Sequence, residues 1–475
     1  MKHRACFLPS GVWPRLFASS TPSQSSVSRR SFALRLSRPK SHLLHAFLLP
    51  ALLAGGAARE VQAQGAPASQ AEASAIQLSA DEKAIAARIA ADVQKLSQFP
   101  SRVVGTPGNL QAAQYVEQQF RAIGLQNVVA DEYKVTAPVT QGGRGTLSVG
   151  GRMIPVYPLY PNGVAPSTTP EDGLKGRVVY AGAGSPADFR GLQVADAIVA
   201  LDFNSGMNWI TAADLGARAI LFLEREAEAE RAASNRAEAE RKFAALPVEM
   251  PRFYLRRAEA DALLASPAVA STRNAAQSGN LPEATLICRT NWDKVSARNI
   301  VGTVEGTDPE LKKQTVVIGG YYDSMSVVPD LAPGAEAAVN MASLLEIARY
   351  FKANPPKYSL MFMANGAHHM TLAGMRNFAA KYFVDLSGSA DDAAKERMKN
   401  YRAFVGLDIT SRTPTVGLFA KSSFYNQMTV GSENILLKLF FPFAKTLYED
   451  YARPLAKERG AGTEDLFVDG IRGLE

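Results

Sequence analysis

The sequence predicts an α/β protein, with a mixed, mostly parallel sheet between helices and a β-rich segment inserted into it. Three observations carry this reading. Strand-like and helix-like runs alternate after Arg298. Two amphipathic helical patterns and one strand precede Thr136. Between Thr136 and Trp292 the pattern changes to short β-like runs separated by Gly and Pro. Alternation of the first kind marks a sheet covered on both faces, and dense short strands mark a separate β-rich layer.

The elements follow in order. Over 81–96, Ile85, Ile89, Val93 and Leu96 recur on one helical stripe. Ser101-Arg102 and Gly105-Thr106-Pro107-Gly108 read as a loop, 110–123 as a second helix stopped by Gly124, and 127–135 as a strand. In the middle, 146–149, 156–159, 177–180, 197–201 and 219–223 read as strands. Residues 224–243 form an Ala/Glu/Arg pattern expected to be a solvated helix with internal ion pairs. After Arg298 the expected elements are strands 299–304 and 316–321, helix 335–350, strand 358–364, helix 372–383 and strand 403–407. No glycine-rich phosphate loop stands between a strand and a helix.

The formal net charge of +7 misleads. Residues 1–63 hold nine basic residues and one acidic residue, Glu60, so the rest carries 43 basic against 44 acidic side chains. A near-neutral body gives no electrostatic footprint for nucleic acid or an anionic membrane. Ser28-Arg29-Arg30-Ser31-Phe32 resembles a twin-arginine export signal, followed by an apolar run over 43–53 and a small-residue cleavage site at Val61-Gln62-Ala63. The expected location is therefore periplasmic or extracellular, with no membrane contact after signal removal. An Arg/Ser-rich organellar transit peptide and a retained anchor stay open, although the apolar run is shorter than the roughly 20 residues that span a bilayer. Cys6 lies in this leader, so only Cys288 belongs to the body, which excludes an intrachain disulfide or a cysteine-rich metal site there. Histidine is equally sparse, because the body owns only His368 and His369.

Several segments together resemble the zinc exopeptidase family of bacterial leucyl aminopeptidases, glutamate carboxypeptidase and the transferrin receptor. They are Ser101-Arg102 with Gly105-Thr106, Asn299 through Thr307, Val316 through Gly320 with Asp323-Ser324, Pro333-Gly334-Ala335, and Lys357 through Ala364. The middle segment is similar to a protease-associated domain, through Leu174 through Tyr180, Ser185 through Phe189, and Leu215 through Ile220. After the export signal over 1–63 and an Ala/Gln/Ser/Gly-rich linker over 64–79, the resemblance implies a peptidase-like domain in two parts (80–135 and 293–475) and a protease-associated domain over 136–292.

A co-catalytic zinc peptidase holds two metals with His and carboxylate ligands and uses a carboxylate base on the metal-activated water. Carried over from the resemblance, the first-strand ligand position is Tyr321, a phenol with a reference pKa of about 10. Asp323 occupies the position of the carboxylate that would orient a histidine there, and Ala337 that of the bridging ligand, with Glu336 one residue off. His368 stands at the general-base position, His369 at the paired metal position, and Asp408 at the second-metal carboxylate. The family's final histidine would follow a segment like Phe467 through Ile471, beyond which this sequence runs only to Glu475. The expected fold is thus C-terminally incomplete, with an uncovered edge near the apolar run 435–441 that favours self-association.

The expectation is a catalytically inactive relative that binds a protein or peptide partner, with zinc in the family and none or one weakly bound ion here. The alternative is an active metallo-exopeptidase whose site is remodelled around Asp323, His369 and Asp408 or completed by further C-terminal residues. A fragment or degenerate product without independent function is the third reading.

Overall fold

The computed structural model describes residues 79–160, 163, 165–225, 238–242, 250–270, 281–382, 399–411, 416–418, 449 and 467–469. The leader expected over 1–63, the linker, most of the charged run 224–243 and the apolar run 435–441 lie outside these residues. No described helix is long and apolar enough to cross a membrane.

Helix α1 (Ala80–Ser97) starts at Ser79, whose hydroxyl caps the Glu82 amide while the Glu82 carboxylate returns to the Ser79 amide. Such a reciprocal box satisfies two otherwise unpaired donors. Helix α2 (Pro107–Ile123) begins three residues earlier than the sequence pattern predicts, because Thr106 caps it and Pro107 takes the first-turn place where a missing amide proton does no harm. It ends at Gly124 in the left-handed conformation.

Strand β1 (Gln126–Thr140) is longer than expected and pairs antiparallel with a strand far away in sequence, β11. Between them lie β2 (Gly145–Val149), β3 (Arg152–Pro158), β4 (Leu174–Gly176), β5 (Val178–Tyr180) and β6 (Ile198–Asp202). Helix α3 (Trp209–Asp214), β7 (Ala219–Leu223), β8 (Arg252–Leu255), helix α4 (Arg257–Leu264), β9 (Val269–Ala270) and β10 (Ala284–Ile287) complete this segment. These strands build a nine-stranded sheet in the order β4-β10-β2-β3-β8-β7-β6-β5-β9. Strands β5 to β9 pair in parallel among themselves, and the rest pair antiparallel.

Of the solvated helix with internal ion pairs expected over 224–243, residues 238–242 are helical and Glu238 pairs with Arg241 and Lys242, but the expectation of solvation and the start at Glu224 need correction. Glu224 follows β7 outside any helix and is buried, and the Lys242 side chain is fully buried. Its ammonium donates to the Gly206 carbonyl at 2.6 Å and meets Glu238 at 3.1 Å, over the Phe203 and Phe222 rings. Composition alone could not show this, because a long lysine stem packs on apolar surface as readily as it points to water.

The second sheet contains β11 (Thr290–Val304), β12 (Thr315–Tyr321), β13 (Ser359–Asn365) and β14 (Tyr401–Gly406), in the order β1-β11-β13-β12-β14. Strands β13, β12 and β14 are parallel neighbours, β11 runs antiparallel to them, and β1, antiparallel to β11, points the same way as the parallel three. Only residues 299–304 of β11 also pair with β13. The earlier half of β11, paired with β1 alone, therefore leaves the sheet as a two-stranded ribbon, and Thr136 and Trp292 both lie on it.

Both faces of this sheet are covered. Ile300, Ile318, Phe362 and Ala364 pack against α1, α2 and helix α5 (Ala335–Ala353). Val301, Val317 and Met363 pack on the opposite face with Phe378 of helix α6 (Ala373–Tyr382). The alternation follows from the two-residue period of a strand. An ion-pair network ties the three helices of the first face together. The Arg88 Nε donates to Glu346 at 3.0 Å, Arg349 meets Asp92 at 3.1 Å, and the Tyr115 hydroxyl donates to Asp92. Strands β15 (Val416–Leu418) and β16 (Phe467–Asp469) pair in parallel with each other.

Candidate functional site

In an α/β sheet, ligands bind beyond the carboxyl ends of parallel strands. Those ends gather every site residue expected from the sequence. Tyr321 closes β12, and Asp323 follows it. His368 and His369 follow β13, and Asp408 follows β14. The registers explain the meeting. Tyr321 pairs with Asn365, and Gly319 pairs with Gly406, so Asp408 stands level with Tyr321.

The side chains then satisfy one another. The Tyr321 hydroxyl donates to Asp408 Oδ1 at 2.8 Å. Its ring stacks on His368 with centroids 4.0 Å apart and planes inclined by 19°. His369 meets the same ring edge-on at 5.5 Å. The His369 amide donates to Asp323 Oδ2 at 3.2 Å, whereas Asp323 Oδ1 is buried without a partner. Burial pushes the Asp323 carboxyl up to about 6, against the opposing pull of His368, the His369 amide and Arg102. Burial likewise lowers His368 below its ordinary value, and Asp323 opposes that shift. The histidine pair sits in a turn where Ala367, Thr371 and Leu372 all have positive φ. Non-glycine residues rarely adopt that conformation, so the surrounding packing must impose it.

Beneath these groups lies a framework that the sequence reading named only as segments. Arg102 is fully buried and donates to the carbonyls of Tyr322 at 2.8 Å, Leu96 at 3.1 Å and Gly334 at 3.1 Å, and to that of Pro333. Burial brings its guanidinium down to about 10, so it is still charged at neutral pH. Asn340 accepts from the Tyr321 amide at 2.9 Å and donates to the Leu407 carbonyl at 2.7 Å, joining α5 to both ligand-bearing strands. Asn365 donates to the Gly320 carbonyl at 2.7 Å. Gly334 opens α5 at φ 59°, and a Cβ there would stand 2.5 Å from that of Ser324. One sequence signal could have exposed Asn340: a single amide in an otherwise apolar helical run, Ala338-Val339-Asn340-Met341-Ala342.

A cleft of about 1530 Å³ opens between the two sheets. His369, Met370 and Glu336 line it from one side, Tyr254 and Arg256 from the other, and Trp292 of the ribbon joins them. Trp292 is 48% exposed and meets Tyr160 edge-to-face at 6.1 Å. Tyr321 and Asp323 are buried behind this surface.

The site lies at the carboxyl ends of β12, β13 and β14 of an α/β domain. Residues 299–468 match the model of Peptidase family M28, a family that includes zinc exopeptidases. A zinc aminopeptidase from Bacillus subtilis, BSAP, is 20% identical over 68% of this chain and 69% of its own, with a TM-score of 0.41. An aminopeptidase from Aneurinibacillus sp. strain AM-1 is 21% identical over 68% of this chain and 70% of its own, at 0.33. A glutaminyl cyclase from Fimbriiglobus ruber is 12% identical over 68% of this chain and 60% of its own, at 0.28. No curated protein matches the chain.

The residues present do not fit the two zinc ions of that class. A phenol hydrogen-bonded to Asp408 stands at one ligand position, and Ala337 offers no donor at another. Among the described residues no three His, Cys, Asp or Glu side chains form a metal-holding group. The sequence-derived metal set Asp323, His369 and Asp408 is gathered in one place, with Asp408 Oδ1 accepting from Tyr321 and Asp323 Oδ2 from the His369 amide.

Proposed function

We propose that this protein is an exported member of the M28 class that does not perform zinc-dependent hydrolysis and acts as a binding module for a peptide or protein segment. The observation that carries the reading is the hydrogen bond from Tyr321 to Asp408, with His368 stacked on the same phenol. Two positions that hold metal in the class are here tied directly to each other. Neither a metal-activated water nor a carboxylate base is then supplied, each being worth several kcal/mol of transition-state stabilisation. The cleft supports a binding role, since it combines aromatic walls with both signs of charge in Arg256, Arg376 and Glu336. The middle segment, with its own nine-stranded sheet, is read as a protease-associated domain that supplies one wall.

The test is elemental analysis of the dialysed protein, with aminoacyl chromogenic substrates assayed in added zinc. The expected result is substoichiometric zinc and activity indistinguishable from a blank. Near two zinc ions per chain, or turnover that His368→Ala abolishes, would favour the active, remodelled metallo-exopeptidase instead. A peptide-array screen, repeated with Trp292→Ala, tests the binding role. Binding that ignores Trp292 would move the site away from the cleft.

A further inference from the structure

A second cavity, of about 110 Å³, lies where the β1/β11 ribbon meets the loop before α2 and the turn Pro329–Leu331. Its walls are largely apolar, with Val104, Pro138, Leu159 and Pro166 among them. Five polar side chains also line it, Thr106, Thr140, Tyr160, Thr290 and Asp330. Thr106 donates to the Ser101 and Val103 carbonyls, and Tyr160 to that of Gly163. The Thr140 hydroxyl donates to Asp330 Oδ2 at 2.6 Å, and among the described residues no cationic group pairs with this carboxylate. Thr290 is 8% exposed, and its hydroxyl has no hydrogen-bond partner. Thr140 and Thr290 are direct cross-strand partners, so their side chains leave the ribbon on the same face. The Thr290 hydroxyl lies near enough to Cys288 to oppose the upward push that burial gives the thiol, yet makes no hydrogen bond of normal geometry with it.

The buried Thr290 hydroxyl is left unsatisfied by protein, and the half-buried Asp330 carboxylate, which accepts from Thr140, faces the same cavity without a paired cation among the described residues. Both are unfavourable unless something else satisfies them. The cavity is well above the roughly 10–15 Å³ that one water needs. Its charge narrows the choice of occupant. A divalent hard cation is ordinarily held by several carboxylates, and only one lines this cavity. Cys288, pushed up to about 12, stays a thiol and offers no soft ligand.

We propose that this cavity binds one monovalent cation of potassium or ammonium size, held by the Asp330 carboxylate and the Thr290 hydroxyl with a partial water shell. The site would brace the loop that leads into α5. Ser101 already donates to the Pro329 carbonyl at 2.6 Å there, and the Tyr160 amide to the Val327 carbonyl at 2.8 Å. This site is independent of the zinc question.

The full chain should be melted by calorimetry at pH 8, with chloride salts of potassium, ammonium and tetramethylammonium compared at equal ionic strength. Potassium and ammonium should raise Tm saturably, by about 3 °C, relative to tetramethylammonium, which is too large to enter. Asp330→Asn and the near-isosteric Thr290→Val should each abolish the difference. Identical melting in all three salts overturns the proposal, as does a potassium effect that survives undiminished in Thr290→Val. If Asp330→Asn does not fold, thallium(I) NMR on the parent chain decides. Line broadening reversed by potassium supports the site, and its absence sinks it.

Discussion

Two layers of the same corner invite comparison: the groups at the strand ends, and the framework that holds those ends. The framework is densely bonded. Arg102 reaches four carbonyls, and Asn340 and Asn365 cross-link helix and strands. The upper layer has the residue types of a different chemistry, with Tyr321 on Asp408 and His368 on Tyr321. The difference teaches that shape and chemistry at such a site are separable. Backbone geometry is held by buried donors below the strand ends, whereas the chemistry open to the site rests on a few side chains above them.

Breaking the lower layer should have the largest effect. Arg102→Leu leaves four buried carbonyls without their donor, and we expect a loss of about 4 kcal/mol in denaturant unfolding, or failure to fold. A loss below about 1 kcal/mol would show that the framework is not what holds the corner. Asn340→Ala should follow, at about 2 kcal/mol, since it strands the Tyr321 amide and the Leu407 carbonyl. Hydrogen exchange at residues 401–408 should rise in that variant, and unchanged protection there would count against the link.

In the upper layer the effects should be smaller. Tyr321→Phe keeps the stacked ring and removes one hydrogen bond, so about 1 kcal/mol is expected, with no gain in bound zinc by elemental analysis. Zinc uptake by that variant would mean that the phenol had been masking a competent site. Asp330 supplies a pH test outside this corner. Burial raises its carboxyl from the ordinary value to about 6, so the folded state binds the proton more tightly than the unfolded chain does. The stability linked to this group is fully present below about pH 4 and is lost as pH rises towards 6. In tetramethylammonium salt, the stability of the parent relative to Asp330→Asn should therefore fall between pH 4.5 and 7.5, and a flat difference would contradict it. The smallest expected effect is that of a chelator, since EDTA should leave Tm unchanged. A drop on chelation would identify a structural metal and reverse the contrast between the two layers.

Much of the fold was legible because its periods are strong. The stripe of Ile89, Val93 and Leu96, the stop at Gly124 and the alternation in 127–135 each follow from one local rule. Strand lengths were less legible, as β1 and β11 run on as a ribbon that only their mutual pairing sustains. The candidate site was legible as residue identities, with Asp323, His368, His369 and Asp408 marked only by what the family resemblance implies. What they do to one another was not, because Asp408 lies 87 positions from the phenol that donates to it.

By itself the sequence determined the alternation of elements and the near-neutral body, since composition and spacing are local properties of the chain. The tertiary structure alone decided that the Tyr321 hydroxyl meets Asp408, that Arg102 is buried among carbonyls, and that Thr290 and Asp330 share a cavity. The reason is physical. Strand register brings together groups far apart along the chain, and burial then forces each polar atom to find a partner among whatever neighbours that register supplies.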